Sequence, residues 1–412
     1  MSATPLLVWA QDAHLDPALR LHAPLTPHLS NPRSILLTGA TGFLGAFLLD
    51  ELLRRTDAVI YCLARGEDEA TTQARLAHTL RGYGLWREEW AERIVALPGD
   101  LAQPSLGLTD ARFAELAGEI DAIYHNGAWV NALYPYNRLR AANVGGSLEI
   151  IRLATTQQTK ALHYISTLAI FLSDAHINQP VDESRIPVVD PTLQGGYKQS
   201  KWVAEALMRE AQTRHLPVTI HRPGRILGHS QSGVNGNLND LLCTVLKSCV
   251  DLGCYPEVPS QIDFIPVDYV AQAIVQLGGQ PGAVGQSYHF CHPQPLEWND
   301  LLAQIAGLGY PLAGVSYAAW VAAVNDRAAQ SGADPIFQQL RMLLRAPIFL
   351  FAQAKPHFSG RATQQALAPL TCPAIDQELI ATYFTWFQQT GYLPPASQLS
   401  PALALAERVS LA

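Results

Sequence analysis

The sequence predicts an α/β fold: a Rossmann-type doubly wound parallel sheet with a smaller, mainly helical C-terminal substrate lobe. Short apolar runs alternate with amphipathic helical patterns up to about residue 290, and a glycine-rich turn follows the first run. Strands that alternate with helices form right-handed βαβ units and a parallel sheet. Beyond residue 290 the helical patterns dominate. The 412 residues, 48% hydrophobic, suit one large α/β domain with an appended lobe.

The chain begins with an extension, residues 1–32, whose five prolines and lack of a sustained period predict a linker that runs over a surface. The sheet domain is predicted over residues 33–290. Its predicted strands are Ser34–Thr38, Ala58–Leu63, Arg93–Leu97, Ala122–His125, Leu162–Ile165, Val218–His221 and Ser287–Cys291. Its clearest predicted helices are Phe43–Leu53, Asn137–Thr155 and Lys198–Arg214.

Residues 291–412 form the predicted helical lobe, which faces substrate and carrier. Its predicted helices are Trp298–Gly307, Tyr317–Gln330, Ile336–Leu344 and Ile375–Thr390. We expect the loop-rich segment 227–260 of the sheet domain to contribute to this lobe. The lobe is expected over the C-terminal edge of the sheet, where open α/β sheets bind ligands.

Composition excludes several classes of protein. The formal net charge of −7 lacks the basic excess that binding to nucleic acid requires. Six cysteines without a CxxC pair or a metal-ligand spacing predict free thiols in a reducing compartment and no metal site. Asp12 and Asp16 interrupt any signal peptide, and the apolar run Leu343–Ala352 is too short to span a membrane. We therefore expect a soluble, cytoplasmic protein with no membrane or nucleic-acid partner.

The glycine-rich turn predicts a dinucleotide site. Its sequence, TGATGFLG, has the spacing GxxGxxG between a strand and a helix. One glycine makes the tight turn, one lets a pyrophosphate approach the backbone, and one lets the helix pack on the strand. The N-terminus of the helix then faces the negative charge. The cofactor-binding residues predicted here are Thr38, Gly39, Thr41, Gly42, Phe43, Leu44 and Gly45.

Arg65 indicates which dinucleotide binds. It lies twenty residues after Gly45, at the end of the second strand, where an acidic residue would hold a ribose 2′-hydroxyl and an arginine favours a 2′-phosphate. NADPH is therefore the predicted cofactor. The alternative is a surface ion pair with Glu67 or Asp68.

Further cofactor contacts are predicted at the ends of later strands, where small residues let the ribose and pyrophosphate approach the main chain. They are Asp100, Leu101, Asn126, Gly127, Ala128, Pro223 and Gly224. Asp100 could contact the adenine or equally cap the following turn. For Asn131 and Asn143 structural hydrogen bonding is the favoured role, and Arg225 lines the substrate mouth or forms an ion pair.

The catalytic residues are predicted from a YxxxK motif that opens a helix. The spacing places Tyr197 and Lys201 on one helical face, and a lysine ammonium nearby should lower the pKa of the phenol from its usual value of roughly 10. The same lysine can hold the nicotinamide ribose, so both residues also count among the predicted cofactor contacts. Thr167, at the end of a strand, is the predicted second donor to the reacting carbonyl oxygen, with Ser166 as the next choice.

Together these features resemble the extended short-chain dehydrogenase/reductase superfamily. Within it, the chain is similar to the thioester reductase domains that end nonribosomal peptide synthetases, polyketide synthases and carboxylic acid reductases. The similarity spans about residues 33–394. Its marks are Ile35–Gly45, Cys62–Arg65, His125–Asn131, Arg222–Ile226, Asp263–Val270, Cys372–Asp376 and Gly391–Pro394.

The resemblance implies reduction of an acyl or peptidyl thioester held on the phosphopantetheine arm of a carrier protein. Thr167 and Tyr197 would hydrogen-bond the developing oxyanion, and Tyr197 would supply a proton. Collapse of the adduct would release the carrier thiol and an aldehyde, and a second reduction could give the alcohol. Asp16–Arg20 is similar to the linker that follows a carrier protein, and a monomer is the expected state.

Three other functions remain open. A fatty acyl-CoA reductase would share almost every motif. A nucleotide-sugar epimerase of the same superfamily is disfavoured by Arg65. A catalytically silent NADPH-binding scaffold is disfavoured by the intact pair of Tyr197 and Lys201.

Overall fold

A computed structural model describes residues 7–17, 19, 25–26, 31–330, 332, 334–344, 351–352 and 354–399. They divide into two compact units. The first unit comprises the described residues of Met1–Gly224, Val267–Cys291 and Pro356–Thr371, and the second comprises those of Arg225–Pro266, His292–Lys355 and Cys372–Ala412. Compared with the predicted boundaries, residues 356–371 group with the sheet and residues 225–266 group with the lobe.

The described strands are numbered in chain order: β1 Ser34–Thr38, β2 Val59–Ala64, β3 Ile94–Pro98, β4 Ala122–His125, β5 Ala161–Ile165, β6 Pro180–Val181, β7 Val218–Pro223, β8 Ile226–Leu227, β9 Cys254–Pro256, β10 Gln261–Ile262, β11 Ile265–Pro266, β12 Ser287–Phe290, β13 Leu296–Glu297, β14 Ala313–Val315 and β15 His357–Phe358. The described α-helices are α1 Phe43–Arg55, α2 Glu69–Gly82, α3 Asp110–Glu119, α4 Tyr136–Arg140, α5 Gly146–Thr155, α6 Gly196–Thr213, α7 Leu241–Leu252, α8 Val267–Gly278, α9 Trp298–Gly307, α10 Tyr317–Ala329, α11 Pro335–Leu343, α12 Arg361–Leu367 and α13 Gln377–Gln389.

The first unit is built on a seven-stranded parallel sheet in the order β12-β7-β5-β4-β1-β2-β3. All seven predicted strands are present, and the predicted fold class is confirmed. Strands such as β4 and β5 are buried along their whole length, as expected of a sheet covered on both faces. The strand order reverses between β1 and β4, where Thr38 pairs with His125, and ligands bind at such a reversal.

Helices of the first unit follow the predicted pattern in part. The predicted helices beginning at Phe43 and Lys198 are α1 and α6, and the third is α4 and α5 joined by a π-helical turn, Ala141–Gly145. Helical patterns are predicted between most of the strands, but without bounds for α2, α3, α8 and α12. In α2 two of the four buried positions, Thr72 and Ala77, carry a polar or a small side chain, so its apolar stripe is weak.

The N-terminal extension is the main correction to the predicted fold. Trp9 and Leu15 are buried in the core of the first unit, and the Trp9 ring packs edge-on against Trp202 of α6 at 5.1 Å. The Leu15 amide donates to Glu210, and Asp12 pairs with Arg140 at 2.6 Å. The described residues 7–17 therefore pack as a strap against α6 rather than running over a surface. Of the predicted carrier linker, residues 18 and 20 lie outside the described part.

The second unit is mainly helical, as predicted. Its core contains the fully buried Trp298 and Trp320 and gathers α7, α9, α10, α11 and α13. Helix α7, Leu241–Leu252, corrects the interpretation of 227–260 as loop-rich. The apolar run Leu343–Ala352 falls mostly outside the described residues. Within the described residues, the structure holds no helix that is both long and apolar enough to cross a membrane.

Candidate functional site

The glycine-rich turn between β1 and α1 forms a cradle that side chains would fill. Gly39 has φ +75°, and a Cβ there would lie 2.8 Å from the Gly127 Cα; a Cβ on Gly45 would overlap the carbonyl of Gly39. A Cβ on Gly42 would meet only that carbonyl, at 3.3 Å. Gly42 also caps α1 without a side-chain hydrogen bond. The start of α1 thus has no side-chain cap among the described residues, an arrangement that fits a pyrophosphate.

The chain segment after β4 closes one side of this cradle. The buried Thr38 hydroxyl accepts from the Gly127 amide at 2.8 Å and contacts Nδ1 of His125 at 2.8 Å. Asn126 donates to the carbonyl of Gly39 at 3.4 Å. Leu101 packs so closely on Gly127 that a Cβ there would lie 2.6 Å from its side chain. Among the predicted cofactor residues, Thr38, Asn126 and Leu101 therefore shape the turn itself.

Arg65 is exposed immediately after β2, where the 2′-phosphate was predicted. Neither Glu67 nor Asp68 forms an ion pair with it among the described residues, and the Asp68 carboxylate caps α2 by accepting from Thr71. Arg75 donates to the carbonyl of Arg65 at 3.0 Å, which places its guanidinium beside the Arg65 main chain. Sequence reasoning missed Arg75, which lies in the second turn of α2.

The carboxylate of Asp100 accepts from the amide of Ala102 at 2.9 Å. Of the two roles considered for Asp100, the structure thus shows the turn cap. Asn131 likewise accepts from the amides of Leu133 and Tyr134, both at 2.9 Å, which is the structural role expected of it.

Helix α6 positions Tyr197 and Lys201 on consecutive turns at its N-terminal end. Lys201 is buried; its Nζ donates to the carbonyl of Ile165 at 2.6 Å and lies 4.2 Å from the centre of the Tyr164 ring. Burial lowers the pKa of Lys201 to about 7, against the opposing effect of the Glu205 carboxylate. The helix thereby joins the carboxyl end of β5 through a buried ammonium.

The pKa of Tyr197 corrects one expectation. Burial raises the pKa of its phenol to about 12, although a lowered value was predicted from the neighbouring lysine. The reason is geometric, because the Lys201 ammonium is directed at the Ile165 carbonyl and the Tyr164 ring. No hydrogen bond joins Lys201 to Tyr197 among the described residues.

Thr167 follows β5 and is partly exposed, and its hydroxyl caps a 3₁₀ turn by accepting from Ala169 at 3.2 Å. Ser166, the second choice, is buried and donates to Glu205 at 2.6 Å. The two hydroxyls therefore point into different surroundings, and Thr167 is the more accessible. Thr167 lies two residues after the carbonyl that Lys201 binds, which brings Lys201 and Thr167 to one strand end.

Asn143, in the π-helical turn, links the segment after β4 to α6. Its side chain accepts from the Trp129 amide at 2.7 Å and donates to its carbonyl at 3.1 Å and to Ser200 at 2.9 Å. This confirms the structural role expected for Asn143. π-Helical turns often occur at functional sites.

The end of β7 carries the last predicted contacts. Pro223 ends the strand, and the amide of Gly224 donates to Phe290 at 2.8 Å. Arg225, in the second unit, pairs with Asp240 at 3.1 Å, which is the ion-pair alternative considered for it. No group of side chains suited to a metal ion occurs among the described residues. All six cysteines are in the thiol form.

Comparisons with known proteins point to one family. A family model described as "Male sterility protein", an NAD-binding domain, matches residues 37–274. The solved terminal R domain of the myxalamid PKS-NRPS pathway is 44% identical, with a TM-score of 0.87 over 94% of this chain and 98% of that one. The reductase domain of a nonribosomal peptide synthetase from Mycobacterium tuberculosis is 27% identical, with a TM-score of 0.79 over 93% and 99% of the two chains.

A much longer relative is also similar. One of the polypeptides of linear gramicidin synthase from Brevibacillus parabrevis is 40% identical over 92% of this chain. The chain spans only 8% of that relative's length. The similarity therefore concerns one domain of a multidomain synthetase.

Proposed function

Because the chain belongs to the reductase (R) domain family of nonribosomal peptide synthetases, we propose that it releases a carrier-bound acyl or peptidyl thioester by NADPH-dependent reduction. The product is an aldehyde, with the alcohol formed if a second reduction follows. One observation carries this proposal: Lys201, one turn after Tyr197 on α6, donates to the Ile165 carbonyl at the strand end that leads to Thr167, in the unit that holds the glycine cradle.

Three features of the chain support NADPH. The open side of the cradle at Gly42 and the uncapped start of α1 suit the pyrophosphate. Arg65 and Arg75 present two guanidinium groups after β2, which suit a 2′-phosphate. Lys201 and Tyr197 would hold the ribose, and Gly127, Ala128, Pro223 and Gly224 would let the cofactor approach the main chain.

The chemistry follows from the donors at the strand end. NADPH supplies a hydride to the thioester carbonyl carbon when it is bound. Thr167 and Tyr197 donate hydrogen bonds to the carbonyl oxygen, and the charge that develops there is stabilised most in the transition state. Tyr197 gives its proton to this oxygen, and Lys201, whose ammonium is directed at the Ile165 carbonyl, would hold the nicotinamide ribose. Cleavage of the carbon–sulfur bond then yields the aldehyde and the pantetheine thiol.

The partner in this proposal is a carrier protein that presents a phosphopantetheine arm. A domain that meets such a carrier can act as a monomer, and the thiol form of the cysteines suits a cytoplasmic protein. The proposal includes no nucleic-acid partner and no membrane partner.

The test is NADPH oxidation with three matched acyl donors: a carrier-bound thioester, the corresponding acyl-CoA and the free pantetheine thioester. Mass spectrometry of the product separates aldehyde from alcohol. We expect turnover that is fastest on the carrier-bound donor, whereas preference for acyl-CoA would favour a fatty acyl-CoA reductase. Absence of turnover on all three by folded protein would refute the proposal.

Tyr197→Phe is the matched variant for this test. Loss of the hydroxyl removes the proton donor, so we expect hydride transfer to fall about 100-fold or more. NADPH affinity, measured by fluorescence, should change less than threefold. Retained turnover in this variant would show that Tyr197 is not the acid.

A further inference from the structure

A cluster of buried polar side chains lies behind the catalytic residues and has no role in the mechanism above. We call it the Glu205 cluster; its members are Ser166, Glu205, Arg209, Arg222 and His289. The side chains of Glu205 and Arg222 are both fully buried. Burial of two charges is costly unless each is fully paired, so this arrangement needs an explanation.

The two oxygens of the Glu205 carboxylate accept hydrogen bonds from different partners. Its Oε1 accepts from Arg222 at 2.7 Å and from Arg209 at 3.1 Å. Its Oε2 accepts from the Ser166 hydroxyl at 2.6 Å. Arg222 in turn contacts Nε2 of His289 at 2.8 Å. Glu205 of α6 thus joins the carboxyl ends of β5 and β7 directly, and that of β12 through Arg222.

The position of Glu205 on α6 relates it to catalysis. Tyr197, Lys201 and Glu205 follow one another at four-residue intervals and form one stripe on the helix. Lys201 binds the carbonyl of Ile165, and Glu205 binds the side chain of the next residue, Ser166. Two consecutive turns of α6 therefore hold two consecutive residues of the strand end that leads into Thr167.

We propose that Glu205 is a positioning residue for the reduction: through Ser166 it fixes the strand end that carries Thr167, and its carboxylate balances the buried Lys201 ammonium. The inference rests on the proposed function for its kinetic consequence. The geometry itself is independent of the substrate, because every contact lies within the first unit.

The charges around Lys201 support the second part of this role. Besides Glu205 and Tyr197 on α6, the groups that face Lys201 are Tyr164 on β5 and His125 on β4. The pKa of His125 is held well below its usual value by burial and by Lys201, so His125 stays neutral. Glu205, whose own pKa falls to about 2, supplies the negative charge that opposes the loss of the Lys201 proton.

The surroundings of Glu205 show why it is itself ionised. It faces Arg209 on α6, Arg222 on β7, His289 on β12, and Ser166 and Tyr164 at the end of β5. Burial raises the pKa of Glu205, but the two guanidinium groups and the hydrogen bonds from Arg222 and Ser166 lower it by more. The cluster therefore carries a fixed charge throughout the working pH range.

Two variants separate the hydrogen bond from Ser166 to Glu205, which we call the anchor, from the negative charge of Glu205. Ser166→Ala removes the anchor and keeps the ion pairs, and Glu205→Gln removes the charge. Ser248→Ala, which deletes another buried serine hydroxyl in α7 of the second unit, is the control. We expect kcat to fall about 10- to 100-fold in Ser166→Ala, since a hydrogen bond to a charged group is lost, with NADPH affinity within twofold. The control should keep the wild-type kcat.

A pH titration gives the readout that a merely structural role would not move. Glu205→Gln should lower the pKa of Lys201, so the alkaline limb of kcat should move to lower pH, whereas Ser166→Ala should leave it in place. The same shift should occur in the ¹³Cε signal of Lys201, assigned by its absence in Lys201→Met. This signal needs no substrate, so it still decides the role of Glu205 if the wild type fails to reduce thioesters.

Glu205→Gln leaves Arg222 unpaired and could fail to fold, so Glu205→Asp is the second variant. The shorter side chain keeps the charge but withdraws from Ser166, and it should lose kcat as Ser166→Ala does. The inference is overturned if Ser166→Ala and Glu205→Asp both retain kcat within threefold. It is also overturned if the Lys201 signal titrates identically in wild type and in folded Glu205→Gln.

Discussion

At the scale of single residues, Arg65 is the residue that we propose to select NADPH over NADH. Its guanidinium is exposed after β2 and, among the described residues, makes no ion pair with the acidic neighbours considered as partners. A charge-assisted hydrogen bond to a 2′-phosphate would be lost in Arg65→Ala, so we expect KM for NADPH to rise about 10- to 100-fold. NADH lacks that phosphate, so its KM should stay within twofold.

The control for this prediction is Arg55→Ala, which removes an equally positive side chain that pairs with Glu51 at the far end of α1. It should leave both KM values unchanged. Arg75→Ala should have a smaller effect in the same direction as Arg65→Ala. Parallel weakening of NADPH and NADH would contradict the assignment of Arg65 to the phosphate.

The residues of the candidate site were predictable where the evidence for them lies in neighbouring positions of the sequence. Tyr197 and Lys201 share one helical face because of their spacing, and Thr167 ends a strand that a continuous apolar run predicts. The pKa of Tyr197 was not predictable, because burial depends on residues far away in sequence. Glu205 escaped prediction for the same reason, although its place four residues after Lys201 was a usable signal.

At the scale of elements, Gly42 and Gly45 have different roles in the turn between β1 and α1. A Cβ on Gly45 would overlap the Gly39 carbonyl, whereas one on Gly42 would meet only that oxygen, at 3.3 Å. We expect Gly45→Ala to lower the free energy of unfolding by about 2 kcal/mol or more through overpacking. Gly42→Ala should preserve stability and weaken NADPH binding, since it blocks the approach of the pyrophosphate.

Urea unfolding of both variants without cofactor, and fluorescence titration with NADPH, would test this division. The two variants are controls for each other, because each adds one methyl group to the same turn. Equal destabilisation by the two substitutions would contradict the separate roles.

Elements that depend on distant partners were harder to predict. The segment 7–17 has no helical or strand period, so its burial is visible only once Trp9 meets Trp202 and Asp12 meets Arg140. Helix α7 was hidden because turn-forming residues before Leu241 made the whole segment 227–260 resemble a loop. Local sequence patterns predict strands that are buried on both faces. They do not reveal elements that are stabilised by packing between residues far apart in the chain.

At the scale of the whole molecule, the architecture of the sheet was predictable and the division into units was less so. Seven apolar runs gave seven strands, because a parallel sheet covered on both faces requires continuous burial. Residues 356–371 group with the sheet through the pairing of β15 with β6, a contact between segments far apart in the chain. Only the folded chain shows such a pairing.

The whole molecule also buries histidines, and this predicts how stability depends on pH. Burial lowers the pKa of His125 and of His289 to about 3 and that of His163 to about 4, so all three stay neutral in the folded protein. In the unfolded chain they take up protons below about pH 6.5. The unfolded state then binds more protons than the folded state, so stability is full above this pH and falls as the pH decreases toward 4.

Each of these histidines should contribute a slope of about 1.4 kcal/mol per pH unit within that window. We therefore expect the urea midpoint to fall steeply between pH 6 and 4.5, and the histidines to contribute no slope between pH 7 and 8. His163→Gln should reduce the slope of the unfolding free energy against pH by the contribution of about one proton. Nδ1 of His163 is buried without a hydrogen-bond partner among the described residues, so no hydrogen bond there offsets the effect of burial on its pKa. His78→Gln, at an exposed position of α2, is the control and should leave the slope unchanged. A wild-type urea midpoint that does not move between pH 7 and 5 would show that the buried histidines do not make stability depend on pH.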